Sequence, residues 1–161
     1  MLKLRKNKKG FTLVELIVVI AIMAVLAGVV AGVTVSQLNK QTDKTGQSQA
    51  NTIAQFLSQC AMTGETSGED LIVSEDRTTF DEDELEKVLT KQYSSSSIKV
   101  NPTGNNAPTK GYIDVVLSTD NKCIKVEYAP KATGGGATYF VSLDGTVSTT
   151  VPTGISFSTG A

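Results

Sequence analysis

The sequence predicts an α+β fold: one long N-terminal helix whose C-terminal half packs on an antiparallel sheet of about four strands. Three observations carry that expectation. Residues 16–33 run for 18 positions without a charged or hydrogen-bonding side chain, and no proline occurs before residue 102. A helical stripe follows at Ala50, Ile53, Ala54, Leu57, Cys60 and Ala61, whose spacings of three and four place them on one face. Beyond residue 110 the apolar period changes to two, and Asp144-Gly145 separates two such segments as a hairpin turn would.

The helix is expected over residues 11 to about 62, apolar all round in its first half and amphipathic in its second. Gly28, Gly32 and Gly46 are its weak points, each about 1 kcal/mol worse than alanine in a helix interior. The stretch from Gly28 to Gly32 has two readings, bending when helices pack or close helix approach in a membrane. Residues 63–97 form an acidic connector, because ten of the 16 carboxylates lie between Glu65 and Glu86. Within it, the acids at 81–84 followed by Leu85, Val88 and Leu89 predict a short helix with its first turn favoured by the helix dipole. Asp81, Glu82 and Asp83 lack the glycine and distal glutamate of a calcium loop, so a solvated acidic face is expected there. Strands are expected over 111–118, 121–128, 137–143 and 146–148, with a turn at 119–121. One face of that sheet must be covered, and the stripe from Ala50 to Ala61 is the available partner. Thr133 and the glycines at 134–136 read as a loop without phosphate-binding spacing.

Composition narrows the function. The chain has 161 residues and is 40% hydrophobic, enough to bury a core. Its formal charge of −1 hides an asymmetry, since Lys3, Arg5, Lys6, Lys8 and Lys9 all lie in the first ten positions. The remainder sets 10 basic against 16 acidic residues, a charge near −6 that would repel phosphate backbones. No nucleic acid is therefore expected as the main ligand. The absence of histidine removes Ser-His-Asp and Cys-His nucleophile activation together with every histidine-ligated metal site. Cys60 and Cys123 are too far apart for a zinc knuckle or a Cys-x-x-Cys pair. No catalytic residue, metal or cofactor is expected, and the chain does not read as an enzyme.

The apolar run can cross a membrane. Residues 16–33 would extend roughly 27 Å as a helix, and residues 11–35 roughly 37 Å. With the lysines in front of it, the positive-inside rule puts the N-terminus in the cytoplasm and the body outside. A cleaved secretory signal would have a shorter apolar region and a better small-residue site than residues 29–31 offer. An ordinary anchor fits length and charge but leaves Glu15 unexplained. A carboxylate costs on the order of 3 kcal/mol at a membrane centre and less near an end. The 15 Leu, Ile, Val and Phe residues between 11 and 35 contribute roughly 4 to 9 kcal/mol in the other direction. Insertion survives Glu15, and Glu15 does nothing to help it.

The segment Lys8-Lys9-Gly10-Phe11-Thr12-Leu13-Val14-Glu15-Leu16-Ile17 closely resembles the processing signature of type IV pilins, a basic leader ending K-G followed by F-T-L-x-E-L. The likeness covers the leader and the helix to about residue 35. It implies a type IVa-like prepilin with a class III leader peptide at 1–10, a transmembrane and assembly half of the helix at 11–35, and an extracytoplasmic globular pilin domain at 36–161. It further implies cleavage between Gly10 and Phe11 by a prepilin peptidase, N-methylation of Phe11, and assembly through Phe11 and Glu15. Glycine suits an enzyme that must bring a scissile backbone close to its carboxylates. The amine freed on Phe11 is a cation one helical turn from Glu15, and each is costly unpaired at low dielectric. An incoming subunit could pair its Phe11 amine with Glu15 of a neighbour in the filament; the alternative is pairing within one chain.

The implied partners are other pilin subunits in a homo-polymer, the prepilin peptidase, the pilus assembly platform with its ATPase, and the inner membrane before assembly. The expected location is a single-pass cytoplasmic membrane protein that becomes part of a cell-surface pilus. A major pilin serving adhesion, aggregation or twitching motility is the first reading. A minor pilin, or a pseudopilin of a type II secretion or DNA-uptake system, carries the same signature and stays open. A membrane-anchored enzyme or binding domain would need a cleft with convergent polar groups. One departure stands out: many members of the family close a C-terminal loop with a disulfide, and no cysteine follows Cys123. Two free thiols are expected rather than a Cys60–Cys123 bridge, because Cys123 alternates out of phase with Ile124 and Val126.

Overall fold

The structure is a computed structural model that describes residues 10–63, 72–102, 104, 109–132 and 134–158. Residues 1–9 of the expected leader, Glu65, Glu69 and Asp70 of the connector, and Thr133 lie outside them. The chain divides into two units after Leu38.

Helix α1 spans Leu13–Thr63, close to the expected bounds. It continues through Gly28 and Gly32, where an added Cβ would meet nothing within 4 Å. Every residue from 11 to 38 is exposed. From Asp43 onward one face becomes buried, and all six residues of the expected stripe are 3% exposed or less. No basic residue stands in the last turn to meet the carbonyls that a helix C-terminus leaves unpaired. Arg77 supplies the donors from elsewhere, its Nη2 lying 2.9 Å from the Ala61 carbonyl and 3.2 Å from that of Met62.

Helix α2 spans Glu82–Tyr93, as the acid-first pattern predicts. Asp81 is its N-cap, accepting a hydrogen bond from the Glu84 amide at 3.1 Å, and Glu82, Asp83 and Glu84 fill the first turn. Leu85, Val88 and Leu89 are the buried face.

The sheet has five strands in the order β1-β2-β3-β4-β5: Val100–Asn101, Ile113–Leu117, Cys123–Tyr128, Ala137–Ser142 and Val147–Ser148. The last four are the expected antiparallel meander, with Gly145 at φ 79° in the β4–β5 turn. The fifth, β1, runs parallel to β2 and pairs Val100 with Ile113. Two residues are too few to show a period, and β1, unlike the equally short β5, has no hairpin turn joining it to its neighbour, which is why the sequence predicts four strands and not five.

The register sorts the two faces. Ile113, Val115, Ile124, Val126, Tyr128 and Val141 turn to the core shared with Ile53, Leu57 and the apolar face of α2. The opposite face carries Asp114, Lys125, Glu127 and Phe140, and it too is partly covered. Phe157 packs on Phe140 at a ring distance of 5.7 Å and lies under Lys125 Nζ, while Thr119 N donates to the Ser156 carbonyl. Cys60 and Cys123 are both buried, free thiols. Burial pushes the Cys123 thiol up to about 11, with nearby Asp120 adding to the shift.

One expectation is corrected. Gly46 is no weak point of α1: it is buried, and an added Cβ would fall well inside contact distance of the Tyr128 ring. The glycine is where β3 presses its last aromatic side chain against the helix.

Candidate processing and assembly site

The residues that the sequence singles out lie at the start of α1. Gly10, Phe11 and Thr12 precede the first helical residue and belong to no regular element. Phe11 is 90% exposed, and an added Cβ on Gly10 would touch nothing within 4 Å. Any need for a small residue at position 10 is therefore not imposed by packing among the described residues.

Thr12 is the residue that the sequence reading missed. Its hydroxyl accepts from the Glu15 amide at 3.2 Å, and Glu15 Oε2 accepts from both the Thr12 amide and the Thr12 hydroxyl at 2.8 Å. The pair forms a capping box, in which N-cap and third helical residue satisfy each other's exposed donors. The Thr12 carbonyl accepts the first intrahelical bond, from Leu16 N at 3.3 Å. The signal was available as T-x-x-E ahead of an apolar run. A carboxylate in the first turn is also favoured by the helix dipole. Both donors engage Oε2, and Glu15 Oε1 accepts no hydrogen bond among the described residues. In the uncleaved chain Phe11 contributes a peptide nitrogen and no ammonium, so Glu15 is held by Thr12.

Downstream of the cap, α1 presents Leu16, Ile17, Val18, Val19, Ile20 and Ile22 to the outside, each at least half exposed. Part of α1 is long and apolar enough to cross a membrane, and none of that part is buried among the described residues. An apolar surface of this extent marks a membrane or protein interface. Among the described residues no group of three or more His, Cys, Asp or Glu side chains could hold a metal ion.

Residues 5–31 match the family described as the prokaryotic N-terminal methylation motif. This is the class III leader signature of type IV pilins. The signature joins to a long helix packed on a mostly antiparallel sheet, an arrangement consistent with the α+β pilin fold. Comparison with curated proteins and with solved structures gives no significant match. The motif supports a precursor of the pilin or pseudopilin type, implies peptidase processing and polymerisation, fits a membrane-anchored precursor together with the apolar helix, and points to a structural protein.

Proposed function

We propose that the chain is the major subunit of a type IV pilus, cleaved between Gly10 and Phe11, methylated on Phe11 and polymerised through the apolar half of α1. The observation that carries the reading is the methylation motif running into a helix whose apolar half has no partner among the described residues. Before processing, the capping box satisfies one oxygen of Glu15 and holds the carboxylate at the helix start. Cleavage turns the Phe11 nitrogen into an ammonium, and Glu15 Oε1 remains open to such a group. Pairing the amine of one subunit with the carboxylate of its neighbour removes two unpaired charges from a low-dielectric setting and fixes the register between helices. The basic leader faces the cytoplasm, and the pilus platform and its ATPase extract the processed helix once the leader's charges are gone. The exposed body then serves adhesion, aggregation or twitching motility.

A minor pilin or pseudopilin would share the motif. The acidic connector and the large body support the pilin reading. Deleting the chain tests it: surface fibres should disappear, and fibres at normal abundance without it would demote it to a minor subunit or a pseudopilin.

A further inference from the structure

The globular unit is charged like a bar magnet along the direction of β3. At the Tyr128 end, a chain of contacts links five exposed lysines into one patch. The Lys131 amide donates to buried Asp43, whose helix carries Lys40 and Lys44. The Lys131 stem lies against Gly111, next to Lys110, and Lys99 Nζ sits 5.7 Å from the Tyr112 ring centroid. Of the acids at this end, Asp43 and Asp114 are each 4% exposed, and the half-buried Glu127 is ion-paired with Lys125 at 3.0 Å. At the Cys123 end the sign reverses. Phe80 N donates to the Asn121 carbonyl and Arg77 reaches the end of α1, which brings Glu75, Asp76, Asp81, Glu82, Asp83 and Asp120 to that end, all exposed. Of the basic groups there, the Arg77 guanidinium is committed to helix carbonyls, and exposed Lys122 beside Asp120 offsets only one of these six acids. The six residues of β3 separate the two ends by roughly 20 Å, too far for the patches to neutralise each other within one chain.

We propose that the lysine-bearing end docks on the acid-bearing end of a second copy of this chain. The inference rests on the polymer reading above and adds a second contact to it. Copies stacked in parallel along a fibre bring unlike ends together, a heterologous contact of the kind that generates open helical assemblies. Complementary charge favours that arrangement and penalises the antiparallel one, where like ends would meet. Helix burial supplies cohesion, and the charged ends supply polarity and rotational choice.

Two full-length variants test it, each checked for folding by circular dichroism and burial of both thiols. Lys44→Glu/Lys110→Glu makes both ends acidic, and Glu75→Lys/Glu82→Lys makes both ends basic. Each alone should give about tenfold less fibre than wild type at low salt, and the mixture should recover to within about threefold. A mixture no better than its components, or either variant assembling like wild type, overturns the contact. Loss of binding to phosphatidylglycerol vesicles by the lysine variant with fibre formation intact would reassign the patch to lipid. The second measurement is carbodiimide coupling in membranes, with half of the wild-type chains isotopically heavy. Mixed-isotope links from a lysine of one end to a carboxylate of the other are expected with or without fibres. Their absence overturns the contact, whereas links without any fibre would fault the polymer reading alone.

Discussion

The hydroxyl of Tyr128 donates a hydrogen bond to the carboxylate of Asp43 at 2.8 Å, across 85 residues of sequence and between the last residue of β3 and the helix it packs on. The same carboxylate accepts from the amides of Lys131 at 2.8 Å and Ala132 at 3.0 Å. Burial pushes the Asp43 carboxyl up, and the three donors together outweigh it and hold the group below its usual range. Burial and the Asp43 charge push the Tyr128 phenol up to about 12.

Because the folded value of Asp43 is depressed, its contribution to stability is present above about pH 4, the unfolded value, and disappears as pH falls through the lower folded value. Asp43→Asn should therefore destabilise the globular unit by about 2 kcal/mol at pH 7, the worth of hydrogen bonds to a charged acceptor. Urea denaturation as a function of pH should show the variant and the wild type converging in strong acid.

Asp114 behaves in the opposite sense. Burial raises its carboxyl against the hydrogen bonds that lower it, from Asn101 to Oδ1 at 2.9 Å and from the Thr109 backbone. A raised folded value gives a contribution complete below about pH 4 and lost as pH rises through the folded value. Asp114→Asn keeps an acceptor for Asn101 and removes the buried charge. It should raise Tm by about 3 °C at pH 7 and leave it nearly unchanged in acid, as differential scanning calorimetry would read.

Gly46→Ala sets two effects against each other. Helix propensity favours alanine by about 1 kcal/mol. The new methyl collides with the Tyr128 ring, and such overpacking costs about 3 kcal/mol. Net destabilisation is expected in urea titrations, and it should shrink in a Tyr128→Leu background, where the ring is gone.

Glu15 caps the helix with Thr12, and the assembly role proposed for it can be separated from capping by substitution. Glutamine at position 15 preserves the capping box with Thr12 but carries no charge. If charge pairing drives assembly, Glu15→Gln and Glu15→Leu should both be processed and both yield about tenfold less fibre. Fibre at wild-type levels from Glu15→Gln would leave helix capping as the whole of its role. Gly10→Val, which no contact among the described residues forbids, should accumulate unprocessed precursor on immunoblots.

Legibility followed the range of the signal. Helix α1 and strands β2 to β4 repeat a period over several turns or several residues, so alternation and helical spacing suffice to place them, and the Asp144-Gly145 turn places β5. Strand β1 has two residues and no period, and its parallel pairing comes from the chain's path. Asp43 and Gly46 look like ordinary polar-helix residues because their common partner, Tyr128, is distant in sequence. The cover that Phe157 provides over Phe140 and Lys125 depends on a segment with no regular structure. Thr12 was hidden for another reason: F-T-L-x-E reads first as a processing signature, and the T-x-x-E capping pattern lies inside it.

The most direct test of the central claim is the mass of the N-terminal peptide of this chain recovered from sheared surface fibres. The account expects a peptide beginning at Phe11 with one methyl group on its amine. A chain beginning at Met1, or cut beyond the apolar stretch near Ala31, would contradict it.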